Sequence, residues 1–175
     1  MHARRGIRQV PNWISFSRLL MAGAFVASDA MTSRVTLVGL AAATDFLDGY
    51  IARRARVTSR WGALLDPIAD RVFVLTAVST FLFTGLIGTV GYFVILFRDL
   101  MTAVGFLVAR VIPWLRPVEF RARHSGKLVT VLQLATFVAI MVRPAWVPAL
   151  LTVVFAASCW AVVDYTLALW HARAR

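Results

Sequence analysis

Six apolar runs, each near the ~20 residues that a helix needs to cross a bilayer core, follow one another along this chain with short polar breaks between them. The pattern predicts spans at 11–29, 35–56, 61–84, 88–110, 126–143 and 146–170. The breaks carry turn chemistry. Asp29 to Arg34 form a polar turn, Gly85 and Gly88 bracket a second, Pro113 and Pro117 mark a longer loop, and Arg143-Pro144 makes the last. Hydrophobic residues are 60% of the 175, above the ~45–50% of soluble domains, and a soluble chain this short could not hide that much apolar surface. The expected fold is an all-α integral membrane protein: a single membrane domain, residues 1–175, of six transmembrane helices behind a short N-terminal juxtamembrane segment. That segment mixes Ile7 and Val10 with arginines and reads equally as a surface helix or a solvated basic tail. It is not expected to be a cleaved leader, because Asn12 and Arg18 interrupt the apolar stretch behind it and further spans follow.

The formal charge of +11 is distributed unevenly. Arg4, Arg5 and Arg8, then Arg53, Arg54, Arg56 and Arg60, then Arg110, Arg116, Arg121, Arg123 and Lys127, and finally Arg173 and Arg175 fall on one side of the predicted spans. The other side receives Arg34 and Arg143. Basic residues near span ends stay in the cytoplasm, so both termini are expected there, in a multi-pass protein of the cytoplasmic membrane. The partner of this charge is the anionic leaflet; nucleic acid is not expected. Cys159 is the single cysteine, which excludes an intrachain disulfide and disfavours a thiolate metal site.

Asp45, Asp48, Asp66 and Asp70 all stand inside the second and third predicted spans. An ionised side chain at the bilayer centre costs at least ~2.5–3.5 kcal/mol, so acids there imply a function. Asp45 and Asp48 are three apart and Asp66 and Asp70 four apart, spacings that put each pair on one helical face. The two spans run in opposite directions around the Arg53–Arg60 turn, which brings both pairs to similar depth near the cytoplasmic side. Four neighbouring carboxylates repel one another, and divalent cations remove the repulsion. An all-oxygen donor set suits Mg²⁺ or Mn²⁺ rather than zinc, and two such ions can clamp a phosphoryl group during displacement. Buried bridges to Arg53, Arg71 or Arg98 would account for one or two of the acids, but not for four in shared register.

Residues interleaved with the acids point to a phosphate ligand. Gly49, Ala52 and Gly62 lack bulk where a nucleotide would approach the helices, although each taken singly reads as a packing residue. Arg53 can donate a bidentate pair of hydrogen bonds to a diphosphate.

From Asp45 to Asp70 the chain reads D-F-L-D-G-Y-I-A-R-R-A-R-V-T-S-R-W-G-A-L-L-D-P-I-A-D. This resembles the signature of the CDP-alcohol phosphotransferase family, D-x2-D-G-x2-A-R-x8-G-x3-D-x3-D, at every fixed position. The resemblance implies a six-helix membrane enzyme, usually a homodimer, with its active site open to the cytoplasm. It implies that Asp45, Asp48, Asp66 and Asp70 hold two metal ions, that Asp70 is also the general base, and that Asp45, Asp48, Gly49, Ala52, Arg53, Gly62 and Asp66 line the CDP site. The implied reaction is attack by an acceptor hydroxyl on the lipid-bearing phosphorus of CDP-diacylglycerol, with release of CMP.

The acceptor is less tightly specified. Pro11-Asn12-Trp13 with Arg18-Leu19, and Ser125-Gly126-Lys127-Leu128-Val129-Thr130, resemble segments of the phosphatidylglycerophosphate synthase and cardiolipin synthase branch. Arg98, Arg121, Arg123 and Lys127 are then candidates for an acceptor phosphate, against the alternative that they anchor the chain at the leaflet. Arg98-Asp99 stands where the first of these synthases usually shows Arg-Glu, and looks more like the cardiolipin branch. Glycerol 3-phosphate is the preferred acceptor, with phosphatidylglycerol the alternative.

Outside the enzyme class, a divalent-cation transporter would also place acids in the membrane, but distributed in depth and without Gly49, Arg53 and Gly62. An intramembrane prenyltransferase would need two separated acidic motifs. Asp164 reads as a structural ion-pair partner of Arg18, Arg71 or Arg98, and His124 as a surface residue. Trp13, Trp61, Trp114, Trp146 and Trp170 fit an interfacial belt.

Overall fold

Helices follow one another at the predicted positions. A computed structural model describes residues 16–55, 62–111 and 124–173. It contains α1 (Phe16–Ala27), α2 (Met31–Ala55), α3 (Gly62–Phe83), α4 (Thr89–Val111), α5 (His124–Val142) and α6 (Val147–Arg173), with a single 3₁₀ turn, Pro144–Trp146, before α6. No strand occurs among the described residues. The helix ends lie close to the predicted breaks, with one difference. α2 starts at Met31, so Arg34 belongs to its first turn rather than to the polar turn before it, and Arg34 is buried. Its guanidinium lies 5.5 Å from the centroid of the Phe25 ring, a cation–π arrangement that helps to make a buried cation tolerable. Gly85, at φ 72°, closes α3 in the left-handed conformation that a side chain would resist.

The chain divides into two compact units, Met1–Thr84 and Gly85–Arg175. In the first, the buried positions form one stripe per helix. α1 contributes Arg18, Ala22 and Phe25, α2 contributes Arg34, Val38 and Ala41, and α3 contributes Ala69, Phe73, Ala77, Val78 and Phe81. These spacings of three and four are those of a single helical face. Phe25 sits at the centre, edge-on to Phe73 at 6.1 Å and to Phe81 at 5.5 Å.

In the second unit α6 packs against both α4 and α5. Its buried residues are small, Val154, Ser158 and Ala161, which lets helices approach closely. Close approach is visible at Gly91 of α4, where a β-carbon would lie 3.3 Å from Cδ1 of Leu151. Polar bonds also tie α4 to α5: the buried Gln133 amide donates to the Ile95 carbonyl at 2.6 Å and to Oδ2 of Asp99 at 3.0 Å. A buried amide without those partners would cost about 1–3 kcal/mol.

Faces turned away from these cores are equally apolar. Leu20, Leu40, Phe46 and Phe83 are exposed in the first unit, and Val90, Leu107, Val131, Trp160 and Leu167 in the second. Only 17% of Pro144–Leu167 is buried, against 50% of Ser125–Val142, so α6 directs most of its apolar surface outward. A helix bathed in water would carry polar residues there. Among the described residues these two stretches are long and apolar enough to cross a membrane, and α1 is a shorter apolar helix. α2, α3 and α4 have the length, at 25, 22 and 23 residues, but carry mid-helix charge. On length and apolarity alone two helices qualify, not six.

Candidate active site

The motif lies on two consecutive helices. α2 carries Asp45, Asp48, Gly49, Ala52 and Arg53 within its C-terminal half, and α3 carries Gly62, Asp66 and Asp70 at intervals of one turn. Backbone register therefore aligns each set along its own helix, as the spacing predicts. Among these residues the side chain of Asp70 is described; those of Asp45, Asp48, Ala52, Arg53 and Asp66 lie outside the described part. No cluster of three metal-ligating side chains is found among the described residues, which include one of the four aspartates.

Asp70 is an ion-pair partner. Nη1 of Arg18 donates to its Oδ1. The pair follows from the stripes described above. Arg18 stands one turn before Ala22 on the buried face of α1, and Asp70 follows the buried Ala69 at the edge of the face of α3. Arg18 is thus a cation on the inner side of an apolar helix, and a buried charge requires a counter-charge. Spacing along the chain offered Arg53, Arg71 or Arg98 as counter-charges for the acids; Arg18 is a cation on Asp70 that spacing did not offer. The available signal was its place in the Arg18–Ala22–Phe25 register.

The second unit places Arg98 against the start of α5. Nη1 donates to the Gly126 carbonyl at 2.5 Å and to Oγ1 of Thr130 at 3.0 Å, while Nε and Nη2 donate to Oδ1 of Asp99 at 3.2 and 2.5 Å. Thr130 in turn donates its hydroxyl proton to the Gly126 carbonyl at 3.1 Å. Four of the five guanidinium N–H groups thus have acceptors within the chain. Lys127, one residue beyond Gly126, is exposed. Arg121 and Arg123 lie outside the described residues.

Asp164 accepts a hydrogen bond from Oγ of Ser125 at 2.8 Å. α5 has no acid in its first turn, so Asp164 brings a carboxylate to a helix N-terminus, where the dipole favours one. This gives Asp164 a structural role through a hydroxyl, at the start of α5. Gly126 has a packing explanation as well: a β-carbon there would overlap the hydroxyl of Tyr165. Gly126→Ala is expected to lower stability by about 1–3 kcal/mol. Adding Tyr165→Phe should restore most of that loss, as read from unfolding midpoints in detergent.

The model of the CDP-alcohol phosphatidyltransferase family matches residues 8–167. A protein of Aquifex aeolicus (strain VF5) named CDP-diacylglycerol--glycerol-3-phosphate 3-phosphatidyltransferase is 35% identical over 108 residues, which are 58% of this chain and 61% of that protein. A protein of the same name from Yersinia pestis (strain Pestoides F) is 30% identical over 146 residues, 77% of this chain and 78% of the relative. Another, from Sodalis glossinidius (strain morsitans), is 37% identical over 75 residues, 39% of this chain and 41% of the relative. The chain belongs to the CDP-alcohol phosphatidyltransferase family.

Proposed function

We propose that this protein transfers the phosphatidyl group of CDP-diacylglycerol to glycerol 3-phosphate and releases CMP. The observation that carries the reading is the complete family motif, held in helical register on α2 and α3. The names of the relatives support glycerol 3-phosphate as acceptor.

Asp45, Asp48, Asp66 and Asp70 are the proposed holders of two divalent ions, Mg²⁺ or Mn²⁺, and the all-oxygen donor set fits such hard cations. When bound, the ions would neutralise charge on the phosphoryl oxygens and the leaving group. Arg53 binds the diphosphate through paired N–H donors, and Gly49, Ala52 and Gly62 leave the backbone of α2 and α3 open to the nucleotide. Asp70 takes the proton from the acceptor hydroxyl as its oxygen bonds to the lipid-bearing phosphorus and the bond from that phosphorus to the CMP oxygen breaks. The Asp70 side chain remains 41% exposed while paired with Arg18, so its carboxylate is reachable.

Lys127, with Arg121 and Arg123, is the proposed seat of the acceptor phosphate. The committed hydrogen bonds of Arg98 favour a bracing role for that residue over direct acceptor contact. The proposed setting is the cytoplasmic membrane, with six crossings, both termini inside and a homodimeric assembly. Helix lengths of 19 to 27 residues for α2 to α6 support the crossings, and the one-sided arginines support the orientation.

The test is a transfer assay in detergent or vesicles with CDP-diacylglycerol and Mg²⁺, offering glycerol 3-phosphate and phosphatidylglycerol separately. CMP and a lipid product are expected to form with glycerol 3-phosphate and to cease when the metal is chelated. Consumption of phosphatidylglycerol alone would replace the acceptor. Metal uptake into sealed vesicles with no CMP formed under either condition would replace the reaction class.

A further inference from the structure

We propose that the start of α2 binds the phosphate of an anionic phospholipid in the leaflet opposite the catalytic motif, with Arg34 as its cation. The proposal rests on the six-span membrane setting given above and not on the transfer reaction.

Two independent observations meet there. The first is an unbalanced cation. Arg34 is 6% exposed, and a buried charge requires a counter-charge. The Phe25 ring, 5.5 Å away, attracts the guanidinium without supplying an anion. Nε is buried with no hydrogen-bond partner, and among the described residues the guanidinium meets no carboxylate. Of the eight acids in the chain, Asp29 is the one that shares the 29–34 break with Arg34. It is exposed and forms no ion pair with Arg34. Asp45, the next acid along α2, stands about 16 Å further on at the helical rise.

The second observation is the helix end itself. Arg34 donates its backbone N–H to the Ala30 carbonyl at 3.1 Å, the first intrahelical bond of α2. The N–H groups of Met31, Thr32 and Ser33 precede that ladder and have no intrahelical acceptor. Ala30 has no side-chain oxygen to cap them, and the first turn holds no acid. The positive end of the helix dipole therefore adds to the charge of Arg34. Side chains on a helix lean toward its N-terminus, so one in the first turn leans toward the membrane surface on that side, where phosphates lie. Val26 and Met31, on either side of the turn between α1 and α2, are exposed. Apolar surface beside a cationic helix end suits a phosphate that carries acyl chains.

The probe is phosphatidylserine, an anionic lipid that is neither substrate nor product of the proposed transfer. The full-length protein, Arg34→Met and Ser33→Asp are purified in nonionic detergent. Unfolding midpoints are followed as phosphatidylserine or inorganic phosphate is added. At about ten times the half-saturating lipid concentration, the parent is expected to gain about 3–6 °C more than Arg34→Met. Lipids held by other arginines raise both midpoints alike and cancel in that difference. Ser33→Asp places a carboxylate in the first turn of α2, where the dipole favours one. This variant is expected to melt above the parent without lipid and to lose the same increment. An equal rise in the parent and in Arg34→Met would overturn the proposal. If Arg34→Met does not fold, Ser33→Asp decides: a rise equal to the parent's overturns the proposal, and loss of the increment sustains it. An increment produced equally by inorganic phosphate at the same concentration would overturn the lipid as the ligand. None of these readings requires turnover, so a failed transfer assay would remove the proposed function and leave this site standing.

Discussion

Asp70→Asn is expected to lower CMP formation about 10²- to 10⁴-fold, the usual contribution of a positioned general base. Affinity for the CDP-lipid should stay within about threefold, because the interaction removed is needed in the transition state rather than in the ground state. Asparagine suits this test for a structural reason. It retains an oxygen at Oδ1, so Arg18 keeps a hydrogen-bond acceptor, although it loses its counter-charge. Asp70→Ala would take both that acceptor and that counter-charge from a side chain that is 2% exposed, and loss of one partner of a buried pair costs about 3–5 kcal/mol. With Asp70 41% exposed, solvent offsets part of that, and the lower end of about 3 kcal/mol is expected. Inactivity of the alanine variant would therefore mix chemistry with unfolding, whereas a folded, CDP-lipid-binding and inactive asparagine variant isolates the chemistry. Turnover near the parental rate in that variant would remove Asp70 from the base role.

The second large effect is on stability. Arg98→Met should destabilise the protein by about 3–5 kcal/mol, because it leaves a mostly buried carboxylate at Asp99 without its cation. The same change strips the Gly126 carbonyl and the Thr130 hydroxyl of a donor at the start of α5. Asp99 retains its bond from Gln133 at 3.0 Å, which softens the loss without cancelling it. Combining Arg98→Met with Asp99→Asn should recover part of the midpoint, since the orphaned charge is then gone. Lys127→Met makes a contrasting prediction: an unchanged midpoint and a KM for glycerol 3-phosphate raised at least tenfold, the equivalent of ~1.4 kcal/mol. Should Arg98→Met instead keep its midpoint and raise that KM, Arg98 would return to the acceptor seat beside Lys127.

Much of this was legible before any coordinates. Helix positions follow from apolar runs and from turn residues such as Gly85 and Pro144, which act locally. The order of Asp45, Asp48, Asp66 and Asp70 along two helices follows from a rise and rotation per residue common to all α-helices. Their spacing names a reaction class because few chemistries need four carboxylates in one membrane segment. The start of α2 was less legible: Asp29 to Arg34 looks like a polar turn, yet Arg34 is drawn into the helix by the face of Phe25. A ring that covers a cation leaves no mark on local composition.

Spacing along the chain thus decided which residues share a helix face, because that depends on backbone geometry alone. Packing decided which charges meet. Arg18 with Asp70, Arg98 with Gly126 and Thr130, and Asp164 with Ser125 each depend on how one helix is rotated against another, and that angle is set by the bulk of residues such as Phe25, Phe73 and Leu151. An acid in a span needs a partner wherever it sits; only the azimuth of the neighbouring helix selects the side chain that provides it.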